Sequence, residues 1–318
     1  MSHPPAISVI VPCYNAAAFL PATLRSVLAQ SGFELQIIVV DDGSTDGSPE
    51  LVARDFPGVT LVRQPNAGVA AARNTGLAHA RHGWVAFIDA DDLWLPGKLQ
   101  AQCALLASQP EAGMAYTAWQ VWTSSEPEPA AAWLSQLAHQ AADRARWQGA
   151  SGWIYPELLV DCVVWTSSVL VRRALLTQAG GFDEALRIGE DWDLWLRLSR
   201  LTPILRVAQP LALYRMHPSS ITKAPPDINY KSLVVTRAIE RWGLAGPDGR
   251  CARRADIQRS QARTWMDLAG ARIQAGALAR GRDDAFMAVR SQPWAFQGWK
   301  VLAKAWARAC LPTRAPGR

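Results

Sequence analysis

The sequence predicts an α/β protein with a doubly wound sheet, followed by a helical C-terminal region. Two observations lead to this fold class. Apolar runs of strand length alternate with helical patterns through the first ninety residues, and the links between them are short. Residues 35–40 are apolar almost without interruption, as a strand is when helices cover both faces of a parallel sheet.

The predicted elements follow one another in a regular order. The first strand, 7–11, ends at Pro12, and the second runs into a polar turn, 41–46, whose last residues are good helix N-caps. The next elements are a helix over 49–56, a strand over 60–63, a helix over about 69–80 and a strand over 84–89. The patterns then predict strands over 114–122 and 162–171, an excursion over 124–150, a helix over 190–201, a boundary at 224–226 and further helices to about 310.

Composition excludes several classes of protein. With 49% hydrophobic and 19% charged residues, the 318-residue chain is of the globular type and long enough for one large domain and an appendage. Five widely spaced cysteines, an odd number, argue against a zinc site or a disulfide framework and favour a reducing compartment. No apolar stretch approaches the ~20 residues that span a bilayer, and no signal-peptide pattern is evident. We therefore expect a cytoplasmic protein.

Charge divides the chain into two parts. Residues 1–227 carry 16 basic and 21 acidic side chains, whereas residues 228–318 carry 17 basic and 6 acidic ones. Such an asymmetry suggests two functional halves, the second of which faces something anionic. We expect one domain over 1–223 and a basic α-helical region over 224–318.

An acidic cluster follows the strand that ends near residue 88. Asp89, Asp91 and Asp92 lie within four positions, where like charges repel one another unless a cation neutralises them. Hard divalent cations typically bind one or two carboxylates together with a substrate's phosphates. The cluster therefore indicates a cation site, although a solvated acidic turn that caps the next helix explains it equally well.

Other polar residues follow the ends of neighbouring strands. In a parallel sheet these ends meet at one edge, where ligands usually bind. Asp41 or Asp42 can accept hydrogen bonds from a nucleobase or a ribose, and Tyr14 offers a stacking face. Arg73 adds a cation that suits a diphosphate. Each residue alone is explained by ordinary turn chemistry, but their combination favours one ligand site.

These segments resemble the motifs of glycosyltransferase family 2, which has the GT-A fold. The resemblance covers roughly residues 6–222, in family order and spacing. The matching segments are 7–15 (ISVIVPCYN), 39–46 (VVDDGSTD), 66–76 (NAGVAAARNTG), 87–92 (FIDADD) and 189–198 (GEDWDLWLRL).

The resemblance implies a role for each matching residue. Those expected to bind the nucleotide-sugar are Pro12, Tyr14, Asn15, Asp41, Asp42, Asn66, Arg73, Asp89 and Ala90. Asp91, Asp92 and His217 would hold Mn²⁺ or Mg²⁺ on the diphosphate, and Asp191 matches the general base. We also expect acceptor contacts from Trp165, Glu190 and Trp192. Asp191 and Glu190 are explained too as helix-start carboxylates, Trp192 as core and His217 as a structural histidine.

The implied activity is the inverting, metal-dependent transfer of one sugar from a nucleotide-diphosphate sugar, with a UDP-sugar favoured. The acceptor would be a hydroxyl of a glycan or of a polyprenyl-diphosphate-linked sugar, in cell-surface polysaccharide or glycoconjugate synthesis. Processive members carry Gln-x-x-Arg-Trp, and both Arg-Trp pairs here, 146–147 and 241–242, lack the glutamine. The alternatives are a non-catalytic nucleotide-sugar-binding relative and a sugar-1-phosphate nucleotidyltransferase. The latter would usually show a glycine-rich loop after the first strand.

The last predicted helix is amphipathic and basic. Lys300, Lys304 and Arg308 fall on one stripe, and a second stripe carries Trp299, Leu302, Ala303, Trp306 and Cys310. This pattern is typical of a helix in peripheral contact with an anionic membrane. The alternative is a helix docked on its own domain. We do not expect nucleic-acid binding, because the basic residues are not interleaved with a recognised motif.

Overall fold

The computed structural model describes residues 5–141, 148–217 and 225–310. The strands in these ranges are β1 (Ala6–Cys13), β2 (Glu34–Asp41), β3 (Thr60–Arg63), β4 (Trp84–Phe87), β5 (Leu93–Trp94), β6 (Met114–Thr123), β7 (Val169–Arg172) and β8 (Ile204–Met216). The helices are α1 (Leu20–Leu28), α2 (Ser48–Asp55), α3 (Val69–His79), α4 (Lys98–Ser108), α5 (Ala131–Ala141), α6 (Tyr155–Leu158), α7 (Arg173–Ala179), α8 (Glu190–Leu198), α9 (Tyr230–Trp242), α10 (Arg254–Gln274), α11 (Leu278–Ser291) and α12 (Phe296–Cys310).

The chain divides into two compact units. The first contains Met1–Leu158, Cys162–Ser220 and Gly246–Asp248, and the second contains Leu159–Asp161, Ile221–Ala245 and Gly249–Arg318. The expected domains, 1–223 and 224–318, remain a prediction. The predicted tail, 312–318, and the Arg-Trp pair at 146–147 lie outside the described residues.

All eight strands belong to one mixed sheet in the order β3-β2-β1-β4-β7-β6-β8-β5. β1 is parallel to both β2 and β4, and β2 is parallel to β3. Cys13 at the end of β1 lies opposite Asp41 at the end of β2. The carboxyl ends of these strands therefore share one edge, and the expected α/β fold is confirmed.

Burial explains the parallel half of the sheet. Val9, Ile10 and Val11 of β1 have no solvent exposure, because helices cover both faces of this strand. On one face α3 approaches β1 closely through Gly76, since a Cβ there would overlap the Ile10 side chain. Helix packing at this distance holds the loop before α3 beside the strand ends.

The other half of the sheet contains antiparallel pairs and two departures from the predicted elements. β7 lies between β4 and β6 and is antiparallel to both. The strand predicted over 162–171 was wrong in its first part: β7 begins at Val169, because Thr166–Ser168 form a 3₁₀ turn whose side chains bond to other segments. Part of the excursion over 124–150 is the helix α5, and residues 142–147 lie outside the described ranges.

The second unit is helical, as the sequence predicts for the C-terminal region. The Asn229 side chain accepts a hydrogen bond from the Ser232 amide (3.0 Å) and caps α9. A buried ion pair, Arg272 Nη1 to Asp284 Oδ2 at 2.8 Å, joins α10 to α11. Among the described residues, none of the helices has the length and apolar character needed to cross a membrane.

Candidate functional site

The loops after β1 and β2 are tied together by side chains. Asn15 adopts a left-handed conformation (φ 50°), which asparagine tolerates better than most residues. Its amide donates to Ser44 Oγ (2.9 Å), and its Oδ1 accepts from the Thr45 amide (2.8 Å). Tyr14 is left with its ring 54% exposed at this edge. The pair of loops therefore presents an aromatic face on a fixed backbone.

The two aspartates after β2 have different partners. Asp42 is fully engaged, because Oδ1 accepts from Gln64 Nε2 (2.8 Å) and the Ala67 amide (2.9 Å), while Oδ2 accepts from the Gly68 amide (2.9 Å). Asp41 Oδ1 accepts from the Ser44 amide. Its Oδ2 is buried, accepts no hydrogen bond within the described part of the chain and lies 3.5 Å from Arg63 Nε. Of the two, Asp41 retains an oxygen that a ligand could use.

The other residues predicted to bind the nucleotide-sugar follow the same strands. Pro12 is buried near the end of β1. The exposed Asn66 packs beside the turn after β2, and a Cβ on Gly43 would lie 3.0 Å from its amide nitrogen. Ala90 is buried, and its carbonyl accepts from Thr23 Oγ1 (2.9 Å), which fixes the backbone between Asp89 and Asp91.

Asp92 points into the protein. It is 1% exposed, its Oδ2 accepts from Ser167 Oγ (2.5 Å) and its Oδ1 accepts from the Arg215 amide (3.1 Å). Burial, followed by the charges of Asp91 and Asp89, raises its pKa well above the ordinary range. The Arg215 guanidinium is equally enclosed and donates from Nε to the Asp91 carbonyl (2.6 Å). Asp92 and Arg215 thus hold the acidic turn against β8.

Asp91 faces the opposite way and meets His217. Its Oδ2 lies 3.0 Å from His217 Nε2, and the carboxylate retains 29% exposure. The imidazole also packs against Phe19, with ring centroids 4.7 Å apart. The acidic turn after β4 and the segment after β8 therefore place an oxygen donor and a nitrogen donor side by side.

Arg73 links the acidic turn to α8. Its Nη2 donates to Asp89 Oδ1 (2.7 Å) and its Nη1 to Glu190 Oε1 (2.6 Å), with only 3% of the residue exposed. Burial alone would lower the pKa of Arg73, but the charges of Asp89, Glu190 and Asp191 outweigh it and raise that pKa. Burial also raises the pKa of Glu190 to about 7, and the neighbouring Asp191 adds to the rise while Arg73 opposes it.

Asp191 is held at the start of α8 by a hydroxyl. Its Oδ2 accepts from Thr166 Oγ1 (2.9 Å), and its Oδ1 accepts from the Trp192 amide (2.7 Å). Ser167, which follows Thr166, donates a hydrogen bond from its hydroxyl to Asp92 and accepts one from the Asp89 backbone amide (3.0 Å). Two consecutive hydroxyls therefore bind Asp191 on one side and the acidic turn on the other, so both sets of carboxylates border one region of the first unit.

The residues present are compatible with a divalent cation shared with a substrate. Within the described ranges no three Asp, Glu, His or Cys side chains form a complete metal-binding group. Asp91 and His217 supply two adjacent donors, and Asp91 is open to solvent. Two protein ligands suffice when phosphate oxygens complete the coordination, as is usual for Mg²⁺.

Comparisons with known proteins show the family to which the chain belongs. The model for "Glycosyl transferase family 2" matches residues 8–151, and the model for "Glycosyl transferase family group 2" matches residues 84–266, which is more than half of the chain. The chain belongs to glycosyltransferase family 2. Both models describe glycosyltransferases, which favours that activity over the nucleotidyltransferase alternative.

Individual relatives of this family 2 glycosyltransferase share its length to different degrees. An uncharacterized protein of Mycobacterium tuberculosis is 29% identical over 266 residues, covering 76% of this chain and 77% of its own. An uncharacterized glycosyltransferase of Rickettsia felis is 26% identical over 71% of this chain. The chain spans only 35% of that relative's length.

Two solved structures share the GT-A fold. S. aureus TarS 1–349, in complex with UDP-GlcNAc, superposes with a TM-score of 0.62 at 16% identity, covering 97% of this chain and 93% of that one. The mannosyltransferase PcManGT from Pyrobaculum calidifontis, in complex with GDP-Man and Mn²⁺, gives 0.54 at 20% identity, with 96% and 81% covered. At these identities the likeness establishes the fold alone.

Several residues with an expected site role in this glycosyltransferase have protein partners in the structure. Asp92, predicted as a metal ligand, is buried with both carboxylate oxygens hydrogen-bonded, and its metal role stays a prediction. Two carboxylates, Asp89 and Glu190, bind the Arg73 guanidinium. The expected contacts of Arg73 with a diphosphate and of Glu190 with an acceptor stay predictions. Trp192 is core, with its indole donating to the Leu158 carbonyl (2.8 Å).

Trp165 remains an acceptor candidate. It is half-buried beside Trp119 and Tyr214, whose ring centroids lie 6.2 and 5.0 Å away. It directly precedes Thr166, the residue that bonds to Asp191. The acceptor contact of Trp165 stays a prediction.

The sequence analysis missed three residues that hold the site together. These are Thr166, Ser167 and Arg215. One signal was available: three consecutive hydroxyl residues, 166–168, interrupt a run that otherwise reads as a buried strand. Arg215 gave a weaker signal, as a cation near the end of the largely apolar β8.

Proposed function

We propose that this family 2 enzyme transfers a single sugar, with inversion, from a nucleotide-diphosphate sugar to a hydroxyl of a glycan or lipid-linked acceptor. One observation carries the proposal. The adjacent Thr166 and Ser167 hydroxyls bind the Asp191 carboxylate and the acidic turn, so the residues proposed to accept the proton and to bind the diphosphate border the same region. The complexes of TarS with UDP-GlcNAc and of PcManGT with GDP-Man support a nucleotide-sugar donor.

The donor would lie along the edge formed by the ends of β1, β2 and β4. Tyr14 would stack on the base, and Asp41 Oδ2, which accepts no hydrogen bond from the described residues, would accept one from a base N–H. Asp89, fixed by Arg73 and still partly exposed, would accept from sugar hydroxyls. We favour a UDP-sugar.

Asp191 would act as the general base. The acceptor oxygen forms a bond to the anomeric carbon while the bond from that carbon to the diphosphate oxygen breaks, and the acceptor proton passes to Asp191. A carboxylate on the side opposite the leaving diphosphate gives in-line attack and inversion. A cation held by Asp91 and His217 would stabilise the negative charge that develops on the leaving diphosphate.

The decisive experiment offers the purified chain a panel of nucleotide sugars with Mn²⁺ and tests lipid-linked and free glycan acceptors. Nucleoside diphosphate release and a mass gain of one sugar per acceptor are the expected results. If nucleotide sugars bind but no sugar moves to any acceptor or to water, the chain is a binding relative. Repeated additions to one acceptor would contradict single-sugar transfer.

Removal of divalent cations should strongly slow transfer. We expect dialysis against EDTA to lower the rate by at least about tenfold, because the leaving diphosphate loses its counter-charge, and added Mn²⁺ should restore it. Asp91→Asn and His217→Ala should each raise the Mn²⁺ concentration needed for half-maximal rate. Asp55→Asn, at an exposed surface ion pair, is the matched control. Full activity after EDTA treatment would overturn the metal assignment.

Thr166 should position the base. Replacement by valine removes a hydrogen bond to a charged carboxylate, a loss of about 1.5–3 kcal/mol, and should lower kcat roughly ten- to a hundredfold. Thr166→Ser keeps the hydroxyl and should restore most of the rate. Steady-state kinetics should show kcat changing while the donor KM stays within about twofold. A valine variant with normal kcat would mean that the Asp191 orientation does not depend on this bond.

A further inference from the structure

Helix α12 packs on α11 through its small residues and leaves its aromatic residues outside. Gly298 and Ala305 are buried, and a Cβ at Gly298 would lie 3.3 Å from Val289 Cγ2 of α11. The docked face is therefore not the tryptophan stripe. The helix does pack within its own unit, yet that packing does not cover the aromatic side chains.

The uncovered face is strongly apolar. Phe296 is 70% exposed, and Trp299 and Trp306 are 51% and 53% exposed. With Ala303 between them, helical spacing places these residues on one stripe. Trp294, just before the helix, is 91% exposed. Three indoles and a phenyl ring so close together in the chain form an apolar patch of the kind that marks a binding surface.

Positive charge borders this patch. Lys300 Nζ lies 5.1 Å from the Phe296 ring centroid, and the Arg282 guanidinium of α11 lies 5.2 Å from that of Trp306. One turn beyond Arg282, Phe286 is also largely exposed. Residues 278–310 contain six basic and two acidic side chains, and one of the acids, Asp284, is buried against Arg272.

We propose that this surface binds an anionic lipid bilayer at its interface. We call it the Trp–Lys surface, made of Arg282, Phe286, Trp294, Phe296, Trp299, Lys300, Lys304 and Trp306. Charge complementarity selects the occupant: indoles prefer the headgroup region, and lysines beside them meet anionic headgroups while their stems cover apolar surface. Helix α12 carries basic residues and no acidic ones, as interfacial helices do. Bilayer binding is separate from sugar transfer, and its test needs neither a sugar donor nor a sugar acceptor.

The test is sedimentation of the purified full chain with vesicles of phosphatidylcholine alone or with 30% phosphatidylglycerol. We expect binding to the anionic vesicles, weak binding to the neutral ones and release at 0.5 M NaCl. Trp299→Gln/Trp306→Gln and Lys300→Glu/Lys304→Glu should each weaken binding at least about tenfold. Arg81→Glu/Lys231→Glu has the same charge change at exposed positions elsewhere and should bind anionic vesicles within about threefold of the unaltered protein.

Each remaining outcome overturns the proposal. Absence of vesicle binding by the unaltered chain, or equal binding by all variants, would exclude the Trp–Lys surface as a lipid site. A dimer in analytical ultracentrifugation that dissociates in the tryptophan variant would show that a second copy covers the surface instead. Far-UV circular dichroism and nucleotide-sugar hydrolysis in solution report whether the variants are folded, so failure here is distinguishable from failure of the proposed transferase activity.

Discussion

Asp191→Asn should lower the rate of sugar transfer by about 10²–10⁴-fold, the usual contribution of a positioned general base. The amide retains the shape of the carboxylate and can still accept from Thr166 Oγ1, but it cannot take a proton from the acceptor hydroxyl. Donor binding should survive, because the residues proposed to hold the nucleotide follow other elements, β1 and β2. Initial rates at saturating donor and acceptor, with donor affinity measured by calorimetry, provide the check.

Two comparisons make this result specific. Glu111→Gln removes an exposed carboxylate elsewhere in the first unit and should retain the full rate. Glu190 lies next to Asp191 but is 6% exposed and bound by Arg73, so it cannot easily replace the lost base. An asparagine variant that keeps more than a tenth of the activity would mean that another group takes the proton.

The sequence predicted those parts of the site that depend on local pattern. Strand-length apolar runs end in polar turns, and parallel pairing then brings Tyr14, Asp41 and Asp91 to one edge. The order of strands and helices alone is enough to predict this position. The fold class and the region of the site follow from it.

The contacts that distinguish a buried, hydrogen-bonded carboxylate from a partly exposed one could not be predicted from local sequence pattern. Ser167 reaches Asp92 across 75 positions of sequence, and Arg215 reaches the Asp91 carbonyl across 124. The first contact exists because β7 is inserted between β4 and β6, and the second because β5 pairs with β8. No local period encodes either arrangement. Asp89, Asp91 and Asp92 lie within four positions and cannot be distinguished by sequence pattern. In the structure Asp92 is buried, whereas Asp91 is partly exposed.

Arg73→Met should lower the free energy of unfolding by about 3–5 kcal/mol, the usual result of removing one partner from a buried ion pair. Arg73 is almost fully buried, and methionine preserves most of its apolar stem. Asp89 keeps access to water, so most of the loss comes from Glu190, which is left charged in an apolar setting without a counter-ion. Urea denaturation followed by near-UV circular dichroism measures the change.

Arg73→Met/Glu190→Gln is the matched control. A neutral glutamine at position 190 no longer needs a counter-charge, so the double variant should be more stable than Arg73→Met alone. In the double-mutant cycle of the four proteins, the coupling free energy between Arg73 and Glu190 should be stabilising and at least about 1 kcal/mol. A cycle that closes additively would show that the two side chains do not depend on each other.

The loss should also depend on pH. Burial raises the pKa of Glu190 from its ordinary value of 4.5 to about 7, so its ionisation costs stability as pH rises between those values. Asp191, the other charge beside it, adds to the rise, whereas Arg73 opposes it and limits that cost. Without Arg73 the pKa of Glu190 rises further, so the difference in stability between the two proteins should be small at pH 5 and larger at pH 8, where Glu190 of the unaltered protein is ionised. Equal losses at both pH values would instead point to the lost packing of the guanidinium on Phe182, 5.3 Å from the ring centroid.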